Sequence, residues 1–265
     1  MSPSCTATLA GRHALVVGAS TGIGEAVAHR LAADGAAVTV VARRAEEVRR
    51  VRDALPGEGH RHVPADLTVE AERQRLCDEL SERNVDVVVT GLRIRRPWAP
   101  LRRSDPADFG RELVEHTAYF VDLARALLPA QRRAGFGRWV VLSSAVAAIG
   151  GAGQGAYVAH KSALEGLVRT LALEEGRHGI TANVVAPGFI ETEGTTGAYP
   201  AEVRAGLGST NALGRAGTCE EVAHVVASLV HPLGGYVTGA TVPVSGGTEL
   251  GWAIDAAVRE ARGAR

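Results

Sequence analysis

Apolar residues fall along this chain in short unbroken runs closed by turn residues: 13–18 (HALVVG), 36–42 (AAVTVVA), 85–90 (VDVVVT), 138–144 (RWVVLSS), 180–187 (ITANVVAP) and 240–244 (ATVPV). Runs of this length without polar alternation predict strands buried on both faces. A further short strand is placed ahead of Asp66, where His60 and His62 stand two residues apart. Amphipathic stretches of helical length lie between, at about 22–34, 44–55, 69–83, 106–134, 156–176 and 218–230. Strand and helix alternate, which predicts an α/β fold: a doubly wound parallel sheet of about seven strands with helices on both faces. With no repeat, low-complexity tract or linker, one domain spans 1–265. The stretch from about 188 to 217, rich in Gly and Thr, carries no clear element. A loop of that length reads as a lid or binding segment, and a substrate lid is assigned to about 189–214.

Composition narrows the class. The 29 Lys+Arg balance 29 Asp+Glu, so nothing in the net charge attracts nucleic acid or an anionic membrane, and neither is expected as a partner. Hydrophobic residues make up 46% but aromatics only 4%, so the core must be aliphatic; 32 glycines imply a backbone sharply bent or closely approached. The three cysteines, Cys5, Cys77 and Cys219, are sparse and odd in number, which fits a reducing compartment without disulfides. With no leader pattern and no apolar run approaching a membrane span, a cytoplasmic protein is expected. No metal site is expected either, because His60 and His62 have no third ligand beside them. Cys219 opens a helix in Thr218-Cys219-Glu220-Glu221, a capping-box pattern; the helix dipole there favours a thiolate, but the residue is read as structural.

The first strand runs straight into Gly18-Ala19-Ser20-Thr21-Gly22-Ile23-Gly24 and then a helix. In an open α/β sheet this loop turns backbone N–H groups and a helix N-terminus toward a pyrophosphate, and side chains there would block the approach. Gly18, Ser20, Thr21, Gly22, Ile23 and Gly24 are therefore candidate cofactor contacts. Arg43 and Arg44 follow the second strand, where an acid would bind a ribose 2′-hydroxyl and an arginine a 2′-phosphate, so NADP(H) is favoured over NAD(H). Asp66 and Leu67 fall where the sheet edge meets the adenine; Asp66 also suits an N-cap for the next helix.

Of the 29 basic residues, 28 are arginine and one is lysine, Lys161. It lies four residues after Tyr157 in a helical stretch, so both side chains project from one face. A phenol ordinarily titrates near pH 10, too high for proton exchange at neutrality, and an adjacent cation favours its phenolate. Tyr157 with Lys161 is thus a candidate general acid/base. Thirteen residues upstream of Tyr157, Ser143-Ser144 closes a strand at the carboxyl edge, where a hydroxyl can bond a substrate oxygen.

With these residues in view, the chain resembles the short-chain dehydrogenase/reductase family, nearest in pattern to its 3-oxoacyl-carrier-protein reductase and polyketide ketoreductase branch. The resemblance covers about residues 10–250. It rests on the glycine loop, Asp66-Leu67, Ser144 with Tyr157 and Lys161, the stretch from Asn183 to Thr192, Leu213-Gly214-Arg215, and Tyr236 to Thr241. It implies a Rossmann-type fold and a homotetramer or homodimer. It implies that Tyr157 gives or takes the proton, Lys161 holds the nicotinamide ribose and Ser144 polarises the carbonyl. It also places Pro187, Gly188, Ile190 and Thr192 along the nicotinamide.

The family pattern breaks after the fourth strand. In place of Asn-Asn-Ala-Gly stands Thr90-Gly91-Leu92-Arg93, and Thr90 and Gly91 are kept as cofactor contacts. The family's helix-four asparagine, part of a water relay to the lysine, falls on His116. Histidine donates, accepts and titrates near neutrality, so a modified relay and an ordinary packed residue both fit. Arg93, Arg95, Arg96, Trp98, Arg102 and Arg103 form a local basic cluster, suited to an anionic or carrier-protein-bound substrate or to a solvated loop or subunit contact. The expected activity is NADP(H)-dependent hydride transfer between nicotinamide and a small or medium carbonyl or secondary alcohol, in specialised metabolism. An epimerase or dehydratase using the same triad, and a non-catalytic cofactor-binding sensor or assembly subunit, stand as alternatives.

Overall fold

The computed structural model describes residues 8–92 and 99–250. Among them seven parallel strands, β1 (His13–Val17), β2 (Ala37–Ala42), β3 (Arg61–Pro64), β4 (Val87–Thr90), β5 (Gly137–Leu142), β6 (Ile180–Pro187) and β7 (Thr241–Val244), form one sheet in the order β3-β2-β1-β4-β5-β6-β7. All six expected runs are strands, and the short one before Asp66 is β3.

Alternate strand residues feed two aliphatic cores, one on each face. On one face Val16, Val40, Val89 and Val185 pack under α1 (Gly22–Ala33), α2 (Ala45–Ala54) and α9 (Cys219–Val230). On the other, Leu15, Val88, Val141 and Val184 meet α3 (Glu70–Ser81), α4 (Pro106–Ala134) and α6 (Gly155–Glu175). Burial on both faces explains why the strands read as continuous Val-rich runs. The helix ends follow local chemistry. Asp105 accepts the Ala107 N–H at 2.7 Å with Pro106 in the first turn, and Gly135 stops α4 at φ 63°. Thr218 and Glu221 form the expected capping box of α9.

The segment without a sequence signal is helical. After the short α5 (Val146–Ile149), α7 (Glu193–Ala198) and α8 (Ala201–Ser209) fill about half of 189–217. Their six and nine residues are too few to establish a helical period, and Gly194, Gly197, Gly206 and Gly208 lower their intrinsic propensity. A reciprocal Thr192–Thr195 cap starts α7 instead. The excursion is pinned at its base, where Glu191 N–H donates to the Gly217 carbonyl and Gly217 N–H to that of Phe189, both at 2.9 Å.

Strand order reverses at the β1–β4 boundary, which opens a crevice at the carboxyl edge. The loops after β1 and β4 close on each other there: a Cβ on Gly18, whose φ is +83°, would lie 2.7 Å from the Gly91 oxygen. A Cβ on Gly24 would lie 2.2 Å from the Gly18 oxygen, so α1 starts directly against the loop. Gly24→Ala should therefore destabilise the protein by about 1–3 kcal/mol and lower its melting temperature by several degrees; a thermal melt equal to wild type would contradict this packing.

Candidate active site

The crevice is a cleft of about 510 Å³, a size suited to a dinucleotide portion. Its wall takes in Gly18 and Ser20 through Gly24, Arg43, Arg44, Asp66, Leu67, Gly91, His116, Tyr157, Lys161, Pro187 and Thr192. Seven segments far apart in sequence thus converge on one place. Ser144, Thr90, Gly188 and Ile190 lie outside that wall. The Thr90 hydroxyl is fully buried and accepts from the Tyr119 phenol at 3.3 Å, so it faces the core rather than the cleft. Ile190 is 5% exposed in the first core, and Gly188 packs its α-carbon on Ser245.

The glycine loop fits a pyrophosphate. Thr21, at the N-cap of α1, makes no side-chain cap, so its hydroxyl does not consume the first N–H groups of the helix. The loop is braced from α2, a contact sequence reading did not reveal: Arg50 donates to the Ser20 carbonyl at 3.1 Å and to the Glu25 carboxylate at 2.8 Å. At the far end, Arg43 stands 4.0 Å from Asp66, and Arg44 pairs with Glu47. Both guanidinium groups are at least half exposed beside the cleft. Asp66 does not cap α3, whose N-cap position is Val69. Its carboxylate instead accepts from Thr68 N–H at 3.0 Å and Thr68 Oγ at 2.7 Å, closing a turn. Partial burial acts to raise its pKa, but the Thr68 bonds, helped by Arg43 and His116, leave it below the usual value.

At the centre, α6 presents Tyr157 and Lys161 one turn apart. Lys161 is 3% exposed, and its Nζ donates to the Leu92 carbonyl at 2.9 Å and the Leu142 carbonyl at 2.8 Å. The same nitrogen stands 5.7 Å from the Tyr157 ring centroid. The other tyrosines are elsewhere: Tyr119 is buried, its phenol pushed up to about 12 by burial; Tyr199 meets Phe189 edge-on; Tyr236 is fully exposed. Ser143 and Ser144 follow β5, and the Ser144 Oγ accepts from Val146 N–H at 3.4 Å.

His116 enters the cleft from α4, its Nδ1 2.9 Å from the Glu112 carbonyl. A carbonyl only accepts, so Nδ1 carries the proton and Nε2 is the basic nitrogen of the neutral ring. Edge-on to it, ring centroids 5.6 Å apart, is His160, which sequence reading passed over. His160 is fully buried. The Leu92 carbonyl lies close enough to favour its charged form, but neither ring nitrogen reaches a protein partner in hydrogen-bonding geometry.

Other candidates resolve simply. His60 is satisfied by Val38 N–H and the Pro56 carbonyl, and no metal-holding group of three or more His, Cys, Asp or Glu occurs among the described residues. Burial, with Glu220 and Glu25, pushes the Cys219 thiol up to about 11, so the helix dipole does not prevail there. Arg102 and Arg103 are exposed on a short turn; Arg93, Arg95, Arg96 and Trp98 lie outside the described residues. No helix among the described residues is long and apolar enough to cross a membrane.

Comparison with known proteins agrees with this geometry. The family model described as enoyl-(acyl carrier protein) reductase matches residues 18–249. The chain is 38% identical over 246 residues to the 3-oxoacyl-[acyl-carrier-protein] reductase FabG of Pseudomonas aeruginosa, covering 91% of this chain and 98% of that one. It is 36% identical over 242 residues to the cis-4-hydroxycyclohexanecarboxylate dehydrogenase of Sinomonas cyclohexanicum, covering 89% and 96%. A solved short chain dehydrogenase/reductase family protein superposes with a TM-score of 0.83 at 31% identity, covering 92% of this chain and all of that one.

The buried imidazole gives the site a pH signature. Burial, then Lys161 and His116, lowers the His160 pKa from 6.5 to about 3. Below pH 6.5 the unfolded ring takes up a proton that the folded ring refuses, so stability falls as pH drops from 6.5 toward 3, by up to about 1.4 kcal/mol per pH unit. Denaturant titrations of His160→Leu should show a shallower acid limb than wild type; identical slopes would contradict the assignment.

Proposed function

This chain belongs to the short-chain dehydrogenase/reductase family, an oxidoreductase of ketoreductase-like type, and we propose that it is an NADP(H)-dependent ketoreductase with Tyr157 as general acid/base. The observation that carries this reading is the Lys161 ammonium, buried between two strand-end carbonyls beneath the Tyr157 ring in a cleft that begins at the glycine loop. When bound, the nicotinamide cofactor supplies the hydride. The chain's residues do the rest. The α1 N-terminus and the loop N–H groups take the pyrophosphate. Arg43 and Arg44 present guanidinium groups to a 2′-phosphate, and no acid occupies their positions after β2 to favour a free 2′-hydroxyl.

In the reductive direction Ser144 donates to the substrate carbonyl oxygen and Tyr157 passes it a proton. Lys161 favours the phenolate left behind, because a cation beside a phenol stabilises its charged form. His116, with Nε2 as the basic nitrogen at the cleft wall, suits the outer end of a proton path from Lys161. The two curated relatives are named for a carrier-bound 3-oxoacyl group and a small hydroxy acid. Each name joins a ketone or secondary alcohol to a carboxyl-level group, an acyl group on a carrier or a carboxylate, and this chain is assigned that substrate class.

NADPH absorbance followed over a ketone panel tests the reading. Tyr157→Phe should lower kcat by about 10²–10⁴-fold with NADPH binding retained. Cofactor binding without oxidation in wild type across the panel would contradict it, as would substrate conversion without net cofactor change. Arg43→Ala with Arg44→Ala should raise the KM for NADPH by at least roughly 10–100-fold while sparing NADH, since even one charge-assisted bond contributes about 1.5–3 kcal/mol. Equal effects on both cofactors would overturn the 2′-phosphate assignment.

A further inference from the structure

Tyr157 and Lys161 continue one turn further along α6 to Glu165, so three polar side chains stand at four-residue steps on one face. Glu165 is not itself part of the cleft wall but touches it through Ser143. Its Oε1 accepts the Ser143 hydroxyl at 2.6 Å, a short bond in the range of charge-assisted O–H···O⁻ contacts. The turn after β5 is therefore held at successive points. Lys161 donates to the Leu142 carbonyl at 2.8 Å and Glu165 takes the Ser143 hydroxyl. Ser143 N–H donates to Val185 and Ala145 N–H to Pro187, both at 2.8 Å. Ser143 is 5% exposed and borders the cleft, yet its single hydroxyl proton is committed to a carboxylate. The Ser144 Oγ accepts from Val146 N–H, and its own proton meets no acceptor among the described residues.

We infer that Glu165 is a positioning residue of the reaction: by holding the Ser143 hydroxyl it fixes the turn after β5 and leaves Ser144 alone of the pair to donate to the substrate oxygen. The inference rests on the ketoreductase reading for its catalytic meaning, and on the Ser143–Glu165 bond for its geometry. A contact that only tied α6 to β5 would change stability without changing turnover by the folded enzyme. A contact that aims Ser144 acts on kcat, because sub-ångström misplacement of a polarising donor weakens its bond in the transition state.

The test compares Ser143→Ala, Glu165→Leu, Glu165→Gln and the double variant Ser143→Ala/Glu165→Leu in NADPH-dependent ketone reduction. Backbone hydrogen exchange over residues 142–147 is followed in parallel. Each of Ser143→Ala and Glu165→Leu should lower kcat roughly tenfold with the KM for NADPH within about twofold. The double variant should be no slower than the slower single, because both remove one bond. Glu165→Gln, whose amide oxygen still accepts, should stay within about threefold of wild type. Wild-type kcat in Glu165→Leu, additive losses, or a Gln variant as slow as the Leu variant would each overturn the inference. In the exchange arm the Ser143 and Ala145 amides should open faster in Glu165→Leu and not in Glu165→Gln; unchanged protection would overturn the inference independently of activity. A wild-type chain that reduces no ketone would overturn the ketoreductase reading, and exchange would then decide the role of Glu165. Should Glu165→Leu fail to fold, Ser143→Ala and Glu165→Gln make the same comparison.

Discussion

A buried ammonium must be surrounded by acceptors, and in this protein two of them are backbone carbonyls. The Lys161 nitrogen sits between the carbonyls of Leu92 and Leu142, one just beyond β4 and the other at the end of β5. Those strands are neighbours in register, Val87 opposite Arg138 through Thr90 opposite Val141, so the sheet itself sets the spacing of the two oxygens. Helix α6 then delivers the lysine to that gap because its apolar face, Leu164, Val168 and Leu171, seats in the second core. A cation left without those partners at 3% exposure would cost several kcal/mol. Sheet register, helix seating and the position of Tyr157 are in this way one constraint.

The same economy of space governs the dinucleotide end. Added Cβ atoms would overlap backbone at Gly18 and Gly24 and would press on the Leu142 side chain at Gly91, so glycine lets the β1 and β4 loops and α1 meet at the strand-order reversal. Strand, glycine and helix then form a cradle whose charged rim, Arg43 and Arg44, comes from the next strand.

Much of this was legible in the sequence, for definite reasons. Apolar runs bounded by turns revealed six of the seven strands because burial on two faces removes polar alternation; the short, more exposed β3 carries no such run. The i, i+4 spacing of Tyr157 and Lys161 is local and survives translation into α6. Features that depend on tertiary partners did not show. Helices α7 and α8 are too short and glycine-rich to display a period. Thr90 looks like a cleft residue by its place at a strand end, but strand alternation turns its hydroxyl to Tyr119. Glu165, His160 and Arg50 carried no sequence signal because their partners, Ser143, His116 and the Ser20 carbonyl, lie 22, 44 and 30 residues away. Ser143 and Ser144 are indistinguishable by type; their tertiary contacts, the Glu165 bond above all, separate them.

The choice of lysine over arginine at 161 is where the account is most exposed. A compact ammonium fits between two carbonyls and beneath a phenol, whereas a planar guanidinium carries its donors on a wider fork. In a chain that otherwise uses arginine at every basic position, Lys161→Arg keeps the charge and changes only that fit. The direct measurement is kcat for NADPH-dependent ketone reduction by Lys161→Arg, alongside its circular dichroism spectrum and melting temperature. The account predicts a loss of at least about 10²-fold in kcat with the fold intact; turnover near the wild-type rate would contradict it.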